Sequence, residues 1–141
     1  MKKISRIMVK SASGYGPSTE AYEDRLTISE GGIQYLYKPF CPDVQRPRKW
    51  SYRTDRPEFR ECWDELCNRI PDILALDEDF ILDGSERTFI VAYDDKTKDV
   101  KTFWNFEEAF APCFRAIRKM LPGGEKVPET LWLPEDEEDS E

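Results

Sequence analysis

Residues 48–59 read Arg48-Lys49-Trp50-Ser51-Tyr52-Arg53-Thr54-Asp55-Arg56-Pro57-Glu58-Phe59, and the hydrophobic period changes part-way along them. Trp50 and Tyr52 alternate with Lys49, Ser51 and Arg53, which is the period of two that a half-buried strand requires. From Phe59 onward the apolar residues Phe59, Cys62, Trp63, Leu66 and Ile70 recur at three and four, laying a single stripe along a helix. Asp55 stands where a helix cap belongs, Pro57 suits an early helical position, and Glu58 completes an Asp-x-x-Glu capping box. Pro71 is expected to end or break this helix.

Outward from this stretch the pattern is of hairpins. Residues 3–11 (KISRIMVKS) read as a first strand, and Leu26 and Ile28 alternate in a second over residues 22–29. Glu30-Gly31-Gly32 makes a turn in which consecutive glycines are expected to supply positive φ, and Ile33, Tyr35 and Tyr37 alternate in the returning strand. Residues 88–93 (TFIVAY) are apolar at successive positions and predict a central strand buried on both faces. Residues 94–98 turn the chain into a partner strand over 99–104. Asn105, with Glu108 three residues on, is expected to cap a last helix that Pro112 kinks or splits and that Pro122-Gly123-Gly124 stops. The order ββββα(α)ββα predicts an α+β fold: an antiparallel sheet of about six strands with two main helices on one face. The uncovered face is expected to carry some of Tyr35, Tyr37, Trp50 and Tyr52.

Residues 1–134 are expected to form a single domain, and residues 135–141, six of whose seven residues are acidic, a disordered tail. Within the domain a shift of 51 aligns Phe59 with Phe110, Cys62 with Cys113, Trp63 with Phe114, Leu66 with Ile117 and Pro71 with Pro122. Two readings stand. Residues 33–71 and 88–122 are repeated strand-strand-helix units, or two amphipathic helices share a frame that 3.6 periodicity imposes on any such pair.

The whole chain, 141 residues with a formal charge of -8, becomes nearly neutral at -2 without the six acids of the tail. That balance argues against a general polyanion binder. The chain has no histidine, which removes Ser-His and Cys-His catalysis and His-ligated metals. Cys41, Cys62, Cys67 and Cys113 contain no C-x-x-C pair, and no apolar run approaches a membrane span. The expectation is a cytoplasmic protein with reduced thiols, no cofactor and no metal. The glycines of Ser13-Gly14-Tyr15-Gly16 lie between strands, away from any helix N-terminus that would hold phosphate. Asp77, Glu78, Asp79 and Asp83, and the pair Asp94-Asp95, suit solvated surface; a carboxylate hydrolase would need Asp77, Asp79 or Asp94 to share a pocket.

At YEDRLTIS (22–29), YLYKP (35–39), RKWSYRTDRPEF (48–59) and DKTK with FW (95–98 and 103–104) the chain resembles a scattered group of small, uncharacterised bacterial proteins. The resemblance covers most of the chain up to the acidic tail. It implies a bacterial source and carries no activity, cofactor or catalytic residue.

One basic-aromatic stretch stands out in this acidic chain. Arg46, Arg48, Lys49, Trp50, Tyr52 and Arg53 combine guanidinium forks with rings, a set that suits a phosphate, a base or an acidic partner. In the plainer reading, strand alternation sends Trp50 and Tyr52 to the core and the basic residues to solvent. Leu131, Trp132 and Leu133 either tuck back onto the sheet or dock on another protein or a second copy. The function expected is a non-enzymatic protein-interaction or accessory module. The alternative is a weak binder of nucleic acid or a small anionic ligand through residues 46–53.

Overall fold

A computed structural model of the chain describes residues 3–12, 21–41, 43, 46–77, 86–104, 107–123, 127–131 and 133. The glycine loop at 13–16, Glu78, Asp79 and Asp83, Asn105, Trp132 and the acidic stretch 135–141 lie outside the described residues. Six strands, β1 (Ile4–Ala12), β2 (Tyr22–Ser29), β3 (Gly32–Pro39), β4 (Arg48–Arg53), β5 (Glu86–Tyr93) and β6 (Lys98–Phe103), form one antiparallel sheet in the order β4-β3-β2-β1-β5-β6. Helix α1 (Pro57–Leu74) follows β4, helix α2 (Phe110–Met120) follows β6, and a 3-10 turn (Glu129–Leu131) lies near the end. The α+β architecture read from the sequence is therefore the one observed.

Cross-strand register sorts the side chains into two faces, because directly opposed residues point the same way. One face carries Ile7, Val9, Leu26, Ile28, Ile33, Tyr35, Phe89 and Val91, all buried beneath α1 and α2. The helices contribute Phe59, Trp63, Leu66, Ile70 and Ile73 from α1, and Phe110, Cys113, Phe114, Ile117 and Met120 from α2. Trp63 and Phe114, which the shift of 51 aligns, are both buried.

The aromatic residues expected on the uncovered face are all on the covered one. Tyr35 opposes Leu26, Tyr37 opposes Asp24, and Trp50 and Tyr52 oppose Tyr35 and Ile33. Burying these rings removes more apolar area from water than the reverse pleat would, so the register follows the rings. Nor is β5 buried on both faces. Ile90 and Ala92 are only half-buried, because the helices cover one side of the sheet alone.

Three local expectations also change. The cap of α1 is Arg56 without a side-chain bond; Thr54 Oγ1 instead accepts from the Arg56 N–H at 3.1 Å, and Glu58 is left as a first-turn acid favoured by the helix dipole. Gly31 and Gly32 do not occupy the left-handed region. At Gly32 the constraint is instead the approach of β4: a Cβ there would lie 3.3 Å from the Tyr52 carbonyl oxygen, a tight contact that asks β4 to give by a few tenths of an ångström. Pro71 does not end α1, which runs on to Leu74 because Ile73 is anchored in the core. Having no N–H, Pro71 leaves the Cys67 carbonyl without its helical donor. Pro71→Ala is therefore expected to stabilise the fold by about 1–2 kcal/mol, after allowing for the freer unfolded chain. Urea titration of the two proteins checks the sign. Pro112, by contrast, is placed without cost: α2 starts at Phe110 after a turn in which Phe110 N–H bonds the Glu107 carbonyl, so this proline sits in the first helical turn.

The two strand-strand-helix units occupy opposite ends of the sheet. The Tyr52–Phe59 ring contact, edge-on at 67°, has its counterpart 51 residues on in Phe103–Phe110, also at 67°.

Candidate functional site

The open face of the sheet is lined by the residues that alternate with the core. Following the register, one row runs Lys49, Leu36, Arg25, Lys10, Thr88 and Thr102 from β4 to β6. A second runs Ser51, Gln34, Thr27, Met8, Ile90 and Val100. Arg6, Arg53 and Lys98 lie towards one end of the face, and Lys38, Glu23 and Glu86 towards the other. The described open face thus has seven basic side chains against two acidic ones, in a chain whose total charge is -8. Three shallow depressions of about 270, 530 and 180 Å³ run along it, lined among others by Lys10 and Arg25, by Lys49 and Gln34, and by Arg6 and Arg53.

Lys10 and Arg25 are directly opposed on neighbouring strands. Like charges so placed destabilise a sheet, since their Cβ atoms lie about 5 Å apart. An anion laid across them converts that repulsion into two favourable contacts. The exposed side of α1 has the opposite charge, with Glu58, Glu61, Asp64, Glu65 and Asp72 outnumbering Arg60 and Arg69. On the same side of the sheet α2 carries Arg115, Arg118 and Lys119 and no acid, so this acidity belongs to α1 alone.

The basic-aromatic stretch is divided between the faces. Lys49 and Arg53 are exposed on the open face, and Arg46 is exposed ahead of β4. Arg48 is half-buried on the core side, with its guanidinium carbon 4.4 Å from the Tyr37 ring centroid. Trp50 packs on Tyr35 at 5.7 Å between centroids, and Tyr52 meets Phe59. The five of these residues that lie on β4 thus divide between the faces, with Lys49 and Arg53 on the open one and Arg48, Trp50 and Tyr52, each half-buried, on the covered one. Lys10, Arg25, Lys38 and Arg6, which do join Lys49 and Arg53, were not singled out from the sequence. Their signal was parity within each strand, Arg6 and Lys10 being out of phase with Ile7 and Val9 and Arg25 out of phase with Leu26 and Ile28, but it becomes a patch only when β1 and β2 are paired.

A second polar group lies inside the core. In the row nearest the end of β1, Tyr37, Asp24, Ser11 and Arg87 follow one another across four strands. Asp24 is only 4% exposed and accepts bonds from the Ser11 hydroxyl, from the Tyr35 hydroxyl at 2.8 Å and from the Thr130 N–H at 3.2 Å. Arg87, 8% exposed, lies over the Phe114 ring at 5.4 Å, and burial holds its guanidinium below its ordinary range, opposed by Tyr22 and Asp24. This group ties the last described segment to the sheet. Leu131 and Leu133 are buried within the chain's own core, so neither is exposed for docking.

Among the described residues the carboxylates do not converge. Asp77 and Asp94 are exposed, Asp94 holds the Lys3 N–H at 3.2 Å, and Asp95 accepts from the Thr97 N–H at 3.0 Å within the β5–β6 turn. Among the described residues no three Cys, Asp or Glu side chains gather as a metal set, and no helix is long and apolar enough to cross a membrane. None of the four cysteines is in a disulfide. Burial, helped by the Asp72 charge, pushes the Cys113 thiol up to about 12, and burial with the Asp64 charge pushes Cys67 up to about 11. The unfolded chain ionises these thiols first, so the native state loses stability as pH rises from about 8.5 towards those values. Urea midpoints are expected to fall over that range, and Cys113→Ala should flatten the slope. Neither a family model nor a curated protein matches the chain.

Proposed function

We propose that this domain is a non-enzymatic interaction module and that its open sheet face receives an acidic segment of a partner protein. The observation that carries this reading is the concentration of Arg6, Lys10, Arg25, Lys38, Lys49, Arg53 and Lys98 on the one face that the described helices leave uncovered. Complementary charge steers such a segment to the face and sets its orientation, while Thr27, Gln34 and Ser51 offer hydrogen bonds between the cations. An acidic peptide is favoured over nucleic acid because the rings that would stack on bases are turned into the core. Four cysteines outside any disulfide fit a reducing, cytoplasmic setting.

Fluorescence anisotropy with a labelled poly-glutamate peptide tests the proposal, with a labelled single-stranded oligonucleotide alongside. The peptide is expected to bind with an affinity that falls steeply with salt. Lys10→Glu with Arg25→Glu is expected to weaken binding about a hundredfold. Preference for the oligonucleotide, or peptide binding that the double variant leaves unchanged, overturns the proposal.

A further inference from the structure

The cations of the open face stand in different surroundings. At the end that holds Lys10 and Lys38 the strands also bring Glu23 and Glu86, whereas at the end that holds Arg6 and Arg53 they bring no acid to this face. We infer that the partner segment carries a phosphorylated serine or threonine, and that its phosphate sits over Gly32 between Arg6 and Arg53. The inference rests on the docking reading above and names the group by which the segment is held.

Of the three depressions on this face, the one of about 270 Å³ is lined in part by Glu23 and Glu86, and the one of about 530 Å³ in part by Leu36. The third, of about 180 Å³, is lined by Arg6, Thr27, Ser29, Gln34, Ser51 and Arg53 around Gly32. Ile33 and Tyr52 also border it, but their side chains face the core, so each side chain offered from the open face carries a hydrogen-bond donor. Clefts for whole small molecules start at about 300 Å³, so this one suits a single ionic group. Arg53 and Arg6 stand on β4 and β1, three strand spacings or about 14 Å apart, with Gly32 and Ser29 between them. The Arg53 stem leans inward: its Cγ lies 3.5 Å from the point where a Cβ of Gly32 would be, and Ser29 Oγ lies 3.9 Å from that point. Gly32 is thus the floor of a gap with an arginine on either side. Among the described residues neither arginine makes an ion pair. The acids of the neighbouring turns are engaged elsewhere: Glu30 pairs with Arg60 of α1, Asp94 accepts from the Lys3 N–H, and Asp95 from the Thr97 N–H. Asp55 stands exposed past the end of β4. Two guanidiniums with hydroxyl and amide donors between them exceed what a carboxylate takes up, having two oxygens and one charge. A phosphate monoester offers three free oxygens and a charge of about -1.5 to -2, and it pairs with guanidinium forks on both flanks. Arg25 and Lys49, in the adjoining depression, take up the acidic residues beside it in the segment.

Fluorescence anisotropy of the full chain with two labelled peptides tests this: an acidic peptide with a central phosphoserine, and the same peptide with glutamate in its place. The phosphoserine peptide is expected to bind about tenfold more tightly, the worth of one further charge-assisted contact. Arg6→Gln with Arg53→Gln, both at exposed positions, is expected to leave thermal unfolding unchanged and to make the two peptides bind alike. Equal binding of the two peptides by the unaltered chain overturns the inference and leaves the docking reading standing. A phosphoserine preference that survives in the double variant overturns it in the same way. Inorganic phosphate that competes as strongly as unlabelled phosphoserine peptide also overturns it, because the site then takes the free ion. Absence of binding by either peptide overturns the docking reading itself.

Discussion

Asp24→Ala is expected to destabilise the fold by about 3–5 kcal/mol, the range for removing one partner of a buried charged cluster. The carboxylate accepts three described bonds, from the Ser11 and Tyr35 hydroxyls and the Thr130 N–H, and its charge faces the buried Arg87. With alanine there, these donors lose their acceptor, and the Arg87 guanidinium, whose Nε has no hydrogen-bond partner, loses the carboxylate nearest in the row. For a chain of this size the loss corresponds to a drop of roughly 10–20 °C in Tm. Asp24→Asn separates the contributions, because the amide keeps one acceptor and no charge; it is expected to cost about half as much. Thermal unfolding of the two variants, with amide exchange at Thr130 as the local readout, checks this. A loss below 1 kcal/mol with Thr130 still protected shows the cluster to be incidental.

Phe89→Ala is expected to cost about 3–5 kcal/mol, as large-to-small changes of buried aromatics do. Phe89 is almost wholly buried on β5, and its ring lies 5.9 Å from Phe103, 4.9 Å from Phe110 and 6.1 Å from Phe114. One side chain thus joins β6 and α2 to the sheet. Its removal opens a cavity between elements that pack rigidly and cannot close it without moving the helix. Phe89→Leu keeps most of the volume and is expected to lose about 1.5 kcal/mol. Urea unfolding monitored by tryptophan fluorescence gives both numbers. If the two variants lose the same stability, the ring cluster is not what holds α2 in place.

Both predictions bear on function, since Asp24 anchors the chain next to the cationic face and Phe89 keeps the opposite face covered. Loss of Asp24 frees the segment around Thr130 from its nearest anchor. The residual stability of the Asp24→Asn variant therefore also allows the probe assay to be run with the anchor weakened.

Much of the architecture was legible because it depends on local periodicity. The change from period two to period 3.6 at residues 48–59 is a property of neighbouring residues, and so is the turn at residues 30–32 between alternating strands. The stripe of Phe59, Trp63, Leu66 and Ile70 likewise identified the buried side of α1 before any partner was known. Where local preference failed, a distant contact outweighed it. Pro71 argues for a helix end, yet burying Ile73 gives more than the missing hydrogen bond costs.

The sequence alone determined which residues of each strand share a side, for pleating enforces that regardless of partners. Tertiary structure decided which of the two sides becomes the core, that β1 lies between β2 and β5, and hence that Lys10 faces Arg25. Those outcomes depend on register between segments far apart in the chain, and a slip of one residue would exchange the faces of a whole strand. The cationic surface is a sum over six strands, so no single stretch of sequence contains it.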